Sequence, residues 1–299
     1  MKHNKYIIYF AESKPMAESL SLKTGVPLFE IALLEYSFGE FSVKLPPVPE
    51  NGDVYFLIQD NGSPSDVLMR VMMTLDTLEN TNPHRVNLIV PYLPFSRQDK
   101  KRADNRAVAS RVVANILNSS YISNIFTFDL HNPVITEYFK TPVYNLTMLD
   151  NFVAYFQSLD LKNVVIVAPD HGRFNAAKYV ASAFKNASFV LINKERTSTH
   201  TVEIKSIEGD TKGKTALIIE DIIDTGNTLV SAVTALQEQG VKEVYVAATH
   251  GVLSHNGLSK IKALGLKKII ITNTINQKDK DPILEILPIE DHLVSIIND

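Results

Sequence analysis

Short runs of apolar residues, rich in Val and Ile, recur along the chain at residues 6–10, 54–58, 86–90, 125–128, 164–168, 189–192, 216–219, 244–248 and 268–272. Between them lie segments in which apolar residues return at helical spacing, notably 67–78, 106–117, 176–184 and 229–239. Strand patterns alternating with helix patterns predict an α/β protein with mostly parallel sheets flanked by helices. Ligands of such sheets sit beyond the carboxyl ends of the strands, so the residues after each apolar run are the candidates for chemistry. Those positions are polar: 92–99, Asp129 and His131, Asp170 and His171, Lys194 and Arg196, 220–228, and His250. Two sets of strands, each with its own polar termini, predict two domains, residues 1–146 and 147–299.

Composition narrows the chemistry. At 299 residues with 45% hydrophobic and 21% charged positions, the chain can bury two ordinary cores. The apolar run nearest the start, residues 6–10, is too short for a signal sequence or a membrane span, so a cytoplasmic location without membrane contact is expected. The absence of cysteine excludes disulfides, thiolate metal sites and cysteine nucleophiles. A net charge of −3 argues against a nucleic-acid-binding surface, which needs a broad basic face. Any phosphate binding must be local.

The stretch 216–228 contains a strand, then Glu220 and Asp221, then Asp224-Thr225-Gly226-Asn227-Thr228, with a helix expected to open at Leu229. Gly226 permits a tight backbone, Thr225 and Thr228 supply hydroxyls, and the opening N–H groups of a helix can accept a phosphate. The acids upstream can hold ribose hydroxyls. A plain N-cap after a buried strand would use the same residue types. Gly213-Lys214-Thr215 looks like the tail of another phosphate loop, but Glu208 stands where its first glycine should be and the segment precedes a strand, so a turn is expected.

The nine residues 220–228 resemble the phosphoribosyl-binding loop of the type I phosphoribosyltransferases, and further segments select one branch of that superfamily. Residues 91–101, containing Arg97-Gln98-Asp99-Lys100, resemble a nucleotide-binding segment of the ribose-phosphate pyrophosphokinases (PRPP synthetases). Asp129-Leu130-His131, Ala168-Pro169-Asp170, Lys194-Glu195-Arg196 and residues 248–254 resemble further motifs of that family, in the same order. The resemblance implies a tandem of two phosphoribosyltransferase-like domains. It also implies an enzyme that moves the β,γ-diphosphate of ATP to the anomeric hydroxyl of ribose 5-phosphate with Mg²⁺. On the resemblance Arg97, Gln98, Lys100 and His131 meet ATP, and His131 and Asp170 serve the metal. Lys194 and Arg196 are catalytic cations, while Asp170, Glu220, Asp221, Asp224, Thr225, Gly226, Asn227 and Thr228 hold the ribose phosphate. Tyr36, Phe38 and Glu40 occupy the positions from which a hairpin of a neighbouring subunit reaches the adenine in the family, so a homodimer or larger homo-oligomer is implied.

The chain also departs from the family pattern. Phe38 replaces an Asp or Asn that accepts a base hydrogen bond, Arg173 and Phe174 follow Asp170-His171-Gly172, and Asn227 replaces a loop glycine. These changes leave open the same transfer onto a larger ribose 5-phosphate such as ADP-ribose, in NAD salvage. A non-catalytic regulatory homologue is the third reading, against which the retained Lys194, Arg196, His131 and Asp170 argue.

Overall fold

The computed structural model describes residues 3–59, 62–101, 105–196, 202–277 and 281–298, except for the side chains at 195, 196, 202 and 203. The chain divides into two units. One comprises Met1–Leu146, Thr274–Asn276 and Ile289–Asp299, and the other Thr147–Asn273 and Gln277–Pro288.

In the first unit β1 (Lys5–Tyr9), α1 (Lys14–Thr24), β2 (Leu28–Glu30), β3 (Ala32–Glu35), β4 (Phe41–Lys44), β5 (Asp53–Leu57), α2 (Pro64–Glu79), β6 (Arg85–Ile89), α3 (Ala109–Leu117), β7 (Asn124–Phe128) and β8 (Val143–Leu146) follow in order. Six of these strands form one sheet in the order β2-β1-β5-β6-β7-β8, and every pairing in it is parallel. Its central strands β1, β5, β6 and β7 are buried at four of five positions each, as strands covered on both faces are, while the edge strands β2 and β8 are partly exposed. Ile8, Val54, Phe56, Val86 and Leu88 pack with Val67, Val71, Leu75 and Leu78 of α2, an i, i+4 stripe that defines the helix's inner face. The hairpin β3–β4 stands apart as an antiparallel pair.

The second unit continues with α4 (Leu149–Ser158), β9 (Val164–Ala168), α5 (Phe174–Ser182), β10 (Ser188–Arg196), β11 (Val202–Glu208), β12 (Thr215–Ile223), α6 (Asn227–Glu238), β13 (Glu243–Gly251), α7 (Gly257–Lys262), β14 (Lys268–Thr272) and β15 (Leu284–Leu287). Its sheet runs β11-β10-β9-β12-β13-β14-β15, parallel except for the β10–β11 hairpin. The order leaves β9 toward β10 on one side and toward β12 on the other, so the topological switch point lies between β9 and β12. In open α/β sheets that is where the crevice for ligands forms.

Two features depart from the expectations above. The last helix, α8 (Glu290–Asn298), belongs to the first unit and not to a second domain running through residue 299. Lys23 of α1 holds Asp291 at 2.6 Å, Lys5 donates to the Ile297 carbonyl at 2.7 Å, and His292 meets Phe128 edge to face. Strand β12 also runs four residues past its purely apolar part, and β13 runs through His250, which is buried. The Gly213 region forms the turn before β12.

Candidate active site

Strand β12 carries Glu220 and Asp221 inside the sheet, and its extension to Ile223 shortens the following loop to Asp224, Thr225 and Gly226. Helix α6 opens at Asn227, two residues before the sequence pattern places it. Gly226 is its N-cap at φ 76°, a left-handed conformation that favours glycine, and it offers no side-chain acceptor to the first turn. The N–H groups that open α6 thus receive no cap from Gly226, and helix-opening N–H groups of this kind can bind an anion.

The loop is held by the end of the 248–254 segment and by α7, to whose residues the sequence assigns no role. Ser254 donates to Asp224 Oδ1, and Leu253 N donates to the Ile223 carbonyl at 3.0 Å. Lys260 of α7 donates to Asn227 Oδ1 at 3.0 Å. A Cβ added at Gly257 would collide with the Asp224 carbonyl oxygen, so α7 touches the loop backbone directly. Gly257→Ala is expected to displace the loop and to lower the denaturation midpoint by the equivalent of about 1–3 kcal/mol, as overpacking does. An unchanged midpoint and unchanged affinity for phosphate ligands would show that the contact is dispensable.

Asp170 follows β9, across the switch point from β12, and accepts from Arg173 N at 3.2 Å. Asp221 Oδ1 accepts from Ile222 N at 2.9 Å, while its Oδ2 lies 3.6 Å from Arg173 Nη2. Burial, reinforced by the charges of Asp221 and Asp170, pushes the Glu220 carboxyl up to about 8; Lys194 and Arg173 pull against this shift. Lys194 pairs with Ile204 while Asn193 pairs with Ser206, so the β10–β11 hairpin is bulged at Lys205 of β11, opposite Lys194. Arg196 ends β10, and its side chain lies outside the described residues. Lys194 and Arg196, which follow the apolar run 189–192, have strand backbones, because β10 continues to Arg196.

The first unit has its own polar group. Arg97, Gln98 and Lys100 follow β6, and His131 follows β7, with Arg97, Gln98, Lys100 and His131 all exposed. Phe95 (φ 64°) and Asp129 (φ 32°) hold left-handed backbone conformations beyond these strand ends, strain that recurs at functional sites. Asn132 donates to Asp99 Oδ2 at 2.6 Å and Tyr138 donates to the Asp99 carbonyl at 3.2 Å, tying the two loops together. Ser110 closes the other side by donating to the Gln98 carbonyl. These residues lie one and two strands beyond the unit's own switch point at β1 and β5. Tyr36, Phe38 and Glu40 form the tip of the β3–β4 hairpin, where Tyr36 N donates to the Glu40 carbonyl at 2.7 Å and the Phe38 side chain is wholly exposed.

His131 thus belongs to the first unit and Asp170 to the second. Among the described residues no three His, Asp or Glu side chains form a metal cage. The concentration of acid that raises Glu220 nevertheless fits a divalent cation of the Mg²⁺ kind, which takes one or two carboxylates and completes its shell with water and phosphate oxygens. No described helix is long and apolar enough to cross a membrane.

Comparison with known proteins agrees with this layout. A family model for the N-terminal domain of ribose phosphate pyrophosphokinase matches residues 6–120, and one for the phosphoribosyl transferase domain matches residues 148–280. The ribose-phosphate pyrophosphokinase of Bacillus caldolyticus is 32% identical over 92% of this chain and 87% of its own length. That of Corynebacterium ammoniagenes is 33% identical over 92% of this chain and 86% of its own length. The crystal structure of phosphoribosylpyrophosphate synthetase from Mycobacterium smegmatis superposes with a TM-score of 0.90 at 29% identity, covering 98% of this chain and 97% of that one. With two phosphoribosyltransferase-like domains and this similarity along nearly its whole length, the chain belongs to the ribose-phosphate pyrophosphokinase family of transferases.

Proposed function

We propose that this protein transfers the β,γ-diphosphate of ATP to the anomeric hydroxyl of ribose 5-phosphate, producing PRPP and AMP. The observation that carries the reading is the paired acids and the glycine-capped helix N-terminus at the β9/β12 switch point, with Lys194 close enough to act on Glu220. Asp224 to Thr228 and the opening N–H groups of α6 receive the 5-phosphate. Glu220, Asp221 and Asp170 accept hydrogen bonds from the ribose hydroxyls. Arg97, Gln98, Lys100 and His131 bind the nucleotide.

In this reaction O1 of the sugar attacks the β-phosphorus, the bond from that phosphorus to the α,β-bridging oxygen breaks, AMP departs, and the O1 proton is released. Phosphoryl chemistry of this kind asks the protein for alignment and for positive charge where negative charge develops. Lys194 and Arg196 supply that charge. Bound Mg²⁺, for which Asp170 is the candidate protein contact in the second unit, would neutralise phosphate oxygens. A cytoplasmic homo-oligomer accompanies the reading.

Mass spectrometry of a reaction containing Mg²⁺, ATP and ribose 5-phosphate should detect PRPP and AMP in equal amounts. Product with ADP-ribose alone, or no AMP with either sugar, would overturn the assignment.

The hairpin supplies a second check. Because Phe38 is fully exposed, Phe38→Ala should change stability by less than about 0.5 kcal/mol in chemical denaturation. If the hairpin serves a nucleotide in a neighbouring subunit, the same variant raises the ATP KM and leaves the sugar KM alone. An ATP KM equal to that of the unsubstituted protein removes Phe38 from the nucleotide site.

A further inference from the structure

Arg173 stands in the single-turn helix His171–Arg173 after β9, where sequence reading marks it only as a departure from the family pattern. Its surroundings give it a definite task. Its guanidinium is largely buried, with the side chain 15% exposed, and Nη2 lies 3.6 Å from Oδ2 of Asp221, whose side chain is 6% exposed. That separation is an ion-pair contact longer than a hydrogen bond. Its backbone N–H is shared between the carbonyl oxygen and Oδ1 of Asp170, each at 3.2 Å. One residue therefore contacts a carboxylate on each side of the β9/β12 switch point. The other oxygen of Asp221 accepts from Ile222 N at 2.9 Å, so Arg173 adds a restraint on the opposite side of that carboxylate.

Asp170 and Asp221 both act on Glu220, and acids gathered this closely repel one another, a repulsion that the guanidinium beside Asp221 offsets. Lys194 also acts on this cluster, but it sits on the β10–β11 hairpin, whereas Arg173 is anchored by its own backbone to Asp170. A planar guanidinium also fixes the direction of a carboxylate better than an ammonium does.

We propose that Arg173 is a positioning residue that sets the spacing of the Asp170 and Asp221 carboxylates, so that they accept hydrogen bonds from the vicinal 2- and 3-hydroxyls of a ribose phosphate. The inference rests on the sugar-binding reading above and deepens it, because it makes Arg173 the source of discrimination between a ribose and a 2-deoxyribose phosphate. Arg173 itself touches no reacting atom. Its loss therefore changes sugar binding and selectivity while leaving the nucleotide side unaltered.

The test is calorimetric titration of the full chain and of Arg173→Ala with ribose 5-phosphate and with 2-deoxyribose 5-phosphate, together with the ATP KM. The unsubstituted protein should prefer the ribose form by about tenfold or more, the value of one charge-assisted hydrogen bond. In Arg173→Ala that ratio should collapse toward one, with the ATP KM within about twofold of its original value and Arg173→Lys restoring part of the preference. Should Arg173→Ala fail to fold, Arg173→Gln, which keeps the stem and removes the charge, carries the same comparison. A ratio that persists in the neutral variants, or equal binding of both sugars by the unsubstituted protein, overturns the role of Arg173 alone. If the unsubstituted protein binds neither sugar, the sugar assignment fails and this inference fails with it.

Discussion

Lys194→Ala is expected to lower kcat by about a hundred- to a thousandfold, with the KM values for ATP and sugar phosphate changed only a few-fold. The magnitude is that of removing one preorganised charge from a site where negative charge develops. Lys194 is suited to such a role because it stands in β10 beside the bulge of the facing strand β11, and because it acts electrostatically on Glu220. When a diphosphate is present, the ammonium has a stronger partner than a carboxyl that burial keeps largely protonated. The two effects separate in steady-state kinetics. A rise in KM with kcat preserved would mean that Lys194 binds substrate and transition state equally, and the transition-state role would then be abandoned.

The second large effect concerns pH. The Glu220 carboxyl titrates near 8 in the folded protein against an ordinary value of 4.5, chiefly because burial disfavours its charge and secondarily because Asp221 and Asp170 stand beside it. Between those values the folded chain holds a proton that the unfolded chain has released. The associated stability is therefore fully present below about pH 4.5 and is lost as the pH rises through about 8. Glu220→Gln, a neutral isostere, should remove this contribution. The melting temperature of the ligand-free, chelator-treated protein should decline between about pH 5 and pH 8, and the variant's curve should be flatter and higher at the alkaline end. Adding Mg²⁺ should flatten the curve of the unsubstituted protein toward that of the variant, because a cation near the acids lowers the cost of ionising Glu220. Parallel curves for the two proteins would show that Glu220 ionises normally.

Much of this protein was legible along the chain because parallel sheets write themselves in local pattern. A strand buried on both faces must be apolar at every position, so 164–168 or 216–219 announces itself without reference to anything distant. Likewise the chemistry of Glu220 to Thr228 is local: acids, a glycine at φ 76° and a helix start lie within nine residues. What the pattern could not supply was the end of each strand. Glu220 and Asp221 look like loop residues in a one-dimensional reading, since charges rarely lie inside a sheet. They lie there because β13 pairs with β12 as far as Ile223 and because Arg173, far away in sequence, faces Asp221.

Three matters were decided only by the tertiary structure. Gly257, Ser254 and Lys260 support the 224–227 loop from about 30 residues downstream, through contacts that leave no periodic trace. The helix Glu290–Asn298 shows an amphipathic stripe of Glu290, Leu293 and Ile297, and that stripe says a face is buried but not against what. Its partners, Lys5, Lys23 and Phe128, were fixed only when the chain returned to its first unit. Arg173 was likewise visible as a charge without a purpose until the sheet order put β9 beside β12. Local sequence determines which segments become strands and helices because burial and hydrogen bonding act over a few residues. Which distant side chains share a site is determined by strand order, and strand order emerges only when the whole core packs.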